Sequence, residues 1–156
     1  MIYKSPIGDL YITENAAGIS GVFFASRRQI AADNSTSALT ECCAQQLDAY
    51  FAGDLQEFDL PLSPVGTEFQ MRVWQGLQQI PYGTTWTYKQ LAQTADCPRG
   101  YRAVGLANNR NPISIIIPCH RVIGADGSLT GYGGGLDMKR FLLQLEQDAL
   151  IGADTA

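Results

Sequence analysis

The sequence predicts an α+β protein, with a small strand-bearing N-terminal domain and a mainly helical C-terminal domain. Three observations carry this. Short β-prone runs fill the first 25 residues, apolar residues then recur at helical spacing, and a stretch with Pro61, Pro64 and Gly66 separates two regions of different character. The expected division is an N-terminal α/β domain with antiparallel strands at 1–60, a linker at about 53–66, and a second domain at 67–150. A chain of 156 residues is long enough for one sizeable core or two small ones.

In order, IYKSPIGDLYIT sets Pro6 and Gly8 between two β-prone runs, a hairpin signal, and GISGVFFAS supplies a third run. AADNSTS, residues 31–37, is a polar loop that ends in helix-capping residue types. Leu39, Cys43, Leu47, Tyr50 and Phe51 then form one apolar helical face, with Gly53 at its stop. Cys43 is thereby a core residue and Cys42 a bystander. Past the linker, Thr67 caps a helix carrying Phe69, Val73, Trp74 and Leu77, which Pro81, Tyr82 and Gly83 break. Thr87 begins a short helix through YKQLAQTA, Asp96, Cys97 and Pro98 turn the chain, and RGYRAVGLANN reads as a second short helix. That succession suggests a helix-turn-helix. ISIII reads as an extended segment ending at Pro118, and residues 124–135 as a Gly-rich loop. LDMKRFLLQLE closes the domain as a helix with Leu136, Phe141, Leu142 and Leu145 as candidate core residues. No internal repeat is visible.

Composition narrows the function classes. With 46% hydrophobic and 17% charged residues, the chain reads as globular and soluble. No stretch approaches the roughly 20 apolar residues of a membrane span, and MIYKSPIGDLYIT lacks a signal-peptide pattern. A reducing, cytoplasmic setting with no membrane partner is expected. The four cysteines show neither C-x-x-C spacing nor a disulfide rhythm, and one histidine excludes a His-rich zinc site. No metal and no cofactor are expected. The net charge of −4 is unevenly spread: residues 1–61 carry −5, residues 62–140 carry +4, and residues 141–156 carry −3. A locally basic region in an acidic chain suits nucleic acid.

The basic region contains PCHRV, in which the single histidine, His120, follows Cys119. A free thiol is a poor nucleophile near neutral pH, and a neighbouring imidazole can take its proton. Adjacent side chains on a strand point to opposite faces, so cooperation requires a turn there or a bridging water. The alternative is a buried structural cysteine beside a surface histidine.

From Gly66 to Glu146 the chain resembles the O6-alkylguanine-DNA alkyltransferases. The blocks are FQMRVWQGLQQIPYGTTWTYKQLA, RAVGLANNRNP, IIIPCHRVIG and GSLTGYGGGLDMKRFLLQLE, in that order. SPIGDLYI and the strands after it extend the resemblance weakly into residues 1–60. The resemblance implies an RNase H-like N-terminal domain and a winged-helix-like C-terminal one. It also implies direct reversal of DNA damage: the alkylated base is flipped out and the alkyl group passes from O6 of guanine, or O4 of thymine, to a cysteine. A thioether offers no acyl carbon to water, so the protein would react once.

Carried over by position, Cys119 resembles the acceptor and His120 the base acting through a water. Glu146 matches the carboxylate holding the imidazole, Asn111 the brace of the active-site turn, and Tyr88 the hydroxyl supporting the departing guanine. Arg102 matches the arginine that fills the hole left by the flipped base. Ala103, Gly105 and Ala107 are small enough to let their helix approach the minor groove of double-stranded DNA, and Lys89 and Arg121 complete the expected DNA-contacting set. Tyr132, Gly133, Asn108 and Val122 form the expected base pocket. A metal-free, bacterial-type, monomeric member is implied.

Gly100 departs from the family's usual alanine and would loosen its helix start by up to about 1 kcal/mol. Asn108 and Asn109 make that stretch more polar than in some relatives. Two other functions compete with alkyl transfer. A non-catalytic module that recognises alkylated bases would lack the acceptor cysteine, and a cysteine hydrolase would leave the helix-turn-helix unexplained.

Overall fold

The computed structural model of the protein describes residues 1–26, 35–132 and 135–155; residues 31–34 of the expected loop, and Gly133, lie outside the described residues. Strands β1 (Ile2–Ser5), β2 (Gly8–Asn15) and β3 (Gly18–Phe24) form an antiparallel sheet in sequence order. Tyr3 pairs with Leu10, Leu10 with Phe24 and Ile12 with Val22, so one face of the sheet is apolar and buried. Helix α1 (Ala38–Phe51) packs on this sheet through Cys43, Ala44, Leu47 and Tyr50. Its N-cap is Ser37, whose side chain accepts from the Thr40 amide while Thr40 reaches back to the Ser37 amide.

The expected linker is not a free connector. Ile19 donates to the Pro61 carbonyl at 2.8 Å and Ser63 to the Ile19 carbonyl at 2.7 Å, which lays Leu62 parallel to β3. Further along the same edge, Val22 donates to Pro112 O and Ser114 to Val22 O, both at 2.9 Å. The sheet edge therefore holds both the connector and the approach to PCHRV.

The C-terminal part is helical, as expected. Helices α2 (Glu68–Leu77), α3 (Tyr88–Thr94) and α4 (Tyr101–Asn109) pack on one another, and Trp74 Nε1 donates to Ala107 O at 2.9 Å. Thr67 and Thr87 cap α2 and α3 as expected, each in a reciprocal pair with a glutamine, Gln70 or Gln90. Asp96, at φ 58, reverses the chain between α3 and α4, completing a helix-turn-helix. Gly100 is the N-cap of α4, outside the helical turns. A Cβ there would collide with Cys97 Sγ, so the glycine serves a close approach, and at the N-cap position the expected loosening of the helix start by up to about 1 kcal/mol does not apply.

Two expectations are corrected. ISIII is a buried turn, not an extended segment: Ile117 donates to Ile113 O at 3.0 Å, and Ile115 sits at φ 73. In α5 (Leu136–Thr155), Leu136 and Phe141 are 43% and 40% exposed, while Lys139, Leu142 and Glu146 form the buried stripe. Apolar spacing misassigned that face because two of its inward residues are charged. Two-residue strands β4 (Trp86–Thr87) and β5 (Val122–Ile123) pair in parallel. Among the described residues, no helix is long and apolar enough to cross a membrane.

Candidate active site

Cys119, His120 and Arg121 form a single turn of 3₁₀ helix between the ISIII turn and β5. That turn sets successive side chains about 120° apart in place of opposite faces, and His120 Nδ1 bonds no group of the described residues, so a proton path from Cys119 still needs a bridging water. All three are buried: Cys119 is 5% exposed, His120 0% and Arg121 7%. Asn111 braces the approach. Its Nδ2 donates to Ile117 O at 2.7 Å and Ile113 O at 3.3 Å, and its Oδ1 accepts from the Ile113 amide at 3.0 Å. These bonds hold Ile115 in the left-handed region, where a β-branched residue costs of order 1–3 kcal/mol.

Glu146 is fully buried on α5. His120 Nε2 donates to its Oε2 at 2.6 Å, and Arg121 donates through Nε to Oε1 at 2.8 Å and through Nη2 to Oε2 at 3.1 Å. The Gly83 amide adds a bond to Oε1 at 3.1 Å, and the Tyr50 hydroxyl one to Oε2 at 2.7 Å. Gly83 has φ +74 and a Cβ there would collide with Leu150, so the loop after Pro81 requires glycine. Burial alone would raise the Glu146 pKa. The bonds from His120 and Arg121 outweigh it and hold the carboxyl at about 2.

Burial lowers the His120 pKa despite the upward pull of Glu146, so the ring is neutral near pH 7. An ionised carboxylate only accepts, so the proton lies on Nε2 and Nδ1 is a bare acceptor. Nδ1 is buried and has no hydrogen-bond partner; the same holds for the Tyr132 hydroxyl and Asn108 Oδ1. Unpaired buried polar atoms cost about 1–3 kcal/mol each, and sites that handle protons or ligands retain them.

The Cys119 thiol is not depressed at rest. Burial pushes it up to about 11, against the Asn111 bond and the nearby Lys139 charge, which pull down. Lys139 is fully buried and donates to Val122 O at 2.5 Å and Thr130 O at 2.7 Å. Burial lowers its pKa to about 8, so it is mostly an ammonium at pH 7, and a negative Cys119 would raise it again. Sequence reasoning missed Lys139 because a lysine in a closing helix reads as solvated. The available signal was its spacing from Glu146, seven residues and two helical turns.

The other expected residues divide. Tyr88 opens α3, its hydroxyl bonded to Thr130 Oγ1 at 2.8 Å and its ring near Gly105 of α4. Arg102 and Ala103 are exposed on α4, as is Lys89 on α3. Ala107, expected on that exposed face, is turned inward and 3% exposed; the nine-residue helix buries Val104, Ala107 and Asn108 together. Arg121 is corrected as well. Its guanidinium is committed to Glu146 and to Ile80 O at 2.8 Å, which removes it from a DNA-facing surface. Val122 and Tyr132 are buried, and the Tyr132 hydroxyl is raised by burial first and by Cys119 next. Among the described residues, no cluster of His, Cys, Asp or Glu could hold a metal ion.

Two predictions follow from these charges. The Glu146 carboxyl is lower in the folded than in the unfolded chain, so its stabilisation is full above pH 4.5 and fades as pH falls toward 2, by about 3 kcal/mol in all. Glu146→Gln flattens that part of the acid limb and leaves Arg121 uncompensated, lowering stability at pH 7 by about 3–5 kcal/mol; urea unfolding across pH checks both. Lys139→Met removes the ammonium that favours a Cys119 thiolate. Carboxymethylation of Cys119 at pH 7, followed by peptide mass, then slows about tenfold, the equivalent of one pKa unit.

Comparison with known proteins identifies the family. Residues 68–148 match the family model for the 6-O-methylguanine DNA methyltransferase, DNA binding domain, and residues 1–64 that for its ribonuclease-like domain. The methylated-DNA--protein-cysteine methyltransferase of Methanosarcina barkeri is 54% identical over 153 residues, covering 96% of this chain and 97% of that one. The crystal structure of Mycobacterium tuberculosis OGT in complex with DNA is 45% identical, with a TM-score of 0.88 over 95% of this chain and 92% of the other. An O6-methylguanine DNA methyltransferase from Methanococcus jannaschii, 28% identical, has a TM-score of 0.66 over 94% and 92% of the two chains. With both halves matched by the two models of one family, and a relative of more than half identity along nearly the whole length, the chain belongs to the 6-O-methylguanine DNA methyltransferase family.

Proposed function

We propose that the protein repairs DNA by moving an alkyl group, methyl above all, from O6 of guanine to Cys119, once per molecule. The observation that carries this is the buried 3₁₀ turn that sets Cys119 beside a neutral imidazole held by an ionised carboxylate, in a chain of this family. The damaged base leaves the stack and enters beside Cys119. Sulfur then bonds to the alkyl carbon as that carbon's bond to O6 breaks. The electron pair goes to the guanine, and the thiol proton goes through a water to His120 Nδ1. Lys139 favours the sulfur's negative charge as it develops, and Glu146 stabilises the imidazolium. Asn111 keeps the turn in register, and the Tyr88 hydroxyl supports the departing guanine.

The DNA face in this reading is the exposed side of α4 with Lys89. Arg102 fills the space left by the everted base, while Ala103 and Gly105 permit approach to the minor groove. Tyr132, Gly133, Asn108 and Val122 shape the base pocket. The protein acts as a monomer, with the ribonuclease-like domain at 1–60 and the DNA-binding and catalytic domain at 67–150, joined at about 53–66. A module that only recognises damage has no use for Cys119, and a hydrolase has none for the helix-turn-helix.

Incubation with a duplex containing O6-methylguanine, followed by intact-protein mass, adds a single methyl, located on Cys119. An unchanged mass, or repeated turnover, rejects the proposal. Arg102→Ala lowers the rate on duplex DNA by about tenfold or more while sparing reaction with free O6-alkylguanine, because only the duplex needs the vacancy filled; equal losses on both substrates reject the role of Arg102.

A further inference from the structure

Among the described residues, the side chains that hydrogen-bond Glu146 are His120 and Arg121 of the C-terminal half and one from the N-terminal half. That one is Tyr50 on α1, whose hydroxyl donates to Oε2, the oxygen that also accepts from His120 Nε2. Tyr50 is fully buried and its ring is fixed among Phe51, Phe58 and Tyr82, at centroid distances of 5.4, 5.5 and 6.3 Å. Packing alone would be served by phenylalanine, since a buried hydroxyl is costly unless paired. This hydroxyl can only donate to an ionised carboxylate, and burial keeps it protonated.

We propose that Tyr50 is a positioning residue for the transfer: its hydroxyl draws charge from the Glu146 oxygen that holds His120, keeping the imidazole neutral and Nδ1 open to the thiol proton. The N-terminal domain thereby sets the strength of the base in the other domain. This rests on the reading of His120 as the base. The other titratable or charged groups acting on the His120–Glu146 pair are Arg121, Lys139, Tyr82 and Tyr132, and Tyr50→Phe leaves each of them unaltered. With one donor fewer, Oε2 bears more charge and favours the imidazolium, which cannot accept a proton.

His120 is the single histidine in the sequence, so imidazole ¹⁵N signals report one ring. Relative to wild type, Tyr50→Phe raises the His120 pKa by up to about one unit, a bound set by the worth of one charge-assisted hydrogen bond to Glu146. Single-turnover transfer at pH 7 slows by up to about threefold, since the wild-type ring titrates below its ordinary value, and the loss grows toward acid and vanishes as pH rises, because the pH–rate profile moves with the pKa. Tyr3→Phe, which breaks the 2.6 Å bond to Asp48 in the same domain, leaves the His120 titration in place. Replacing Tyr50 by its 3-fluoro analogue, a stronger donor, moves the titration the other way and tests the assignment even where phenylalanine impairs folding. An unmoved titration, or a rate loss equal at every pH, overturns the role of Tyr50. A wild-type protein that transfers no alkyl group overturns instead the function proposed above.

Discussion

A carboxylate in a protein interior is tolerable only when its charge is matched, and the arrangement of this molecule follows from how Glu146 is matched. Five hydrogen bonds converge on it, from Tyr50, Gly83, His120 and twice from Arg121. They reach α5 from α1, from the loop after α2 and from the 3₁₀ turn, so one charge joins both halves of the chain. The sequence distance is large, 96 residues between Tyr50 and Glu146. Such a network is expensive to leave half-made, which favours its forming as a unit with the surrounding core.

Cys119, the acceptor in the proposed transfer, is managed in the opposite way. Cys119 is kept as a thiol by its surroundings, with Lys139 close enough to favour the anion without enforcing it. A sulfur that reacts once is wasted by any stray electrophile or oxidant, and thiolate character is what exposes a cysteine to both. Ionisation delayed until a substrate and a proton acceptor are in place protects the single equivalent each molecule carries.

Much of the fold was legible in local pattern. The three strands, the capping serine and threonines, and the helix-turn-helix follow from β-prone runs, cap chemistry and helical spacing that agree with one another. PCHRV and Glu146 marked the candidate site in the sequence, and the chain brings His120 and Glu146 within 2.6 Å. What stayed hidden was whatever depends on contacts distant in sequence. ISIII has the composition of a strand but is bent by Asn111, whose amide outcompetes a ladder. Lys139 and Arg121 read as surface cations, yet each spends its hydrogens on carbonyls or on Glu146. Leu136 and Phe141 read as core because inward charges had been assigned to water.

The outer side of β3 carries a last consequence. A sheet that stops at a strand of seven residues leaves a row of open amides and carbonyls able to recruit another chain. Here Pro61, Ser63, Pro112 and Ser114 occupy that row. The opposite margin, β1, is four residues long, bears Lys4 and is followed by Pro6, a poor template for strand addition. The backbone leading to the Cys119 turn therefore also covers the sheet's edge, and a chain that loosens there would disturb the candidate site and uncover a strand template in one event.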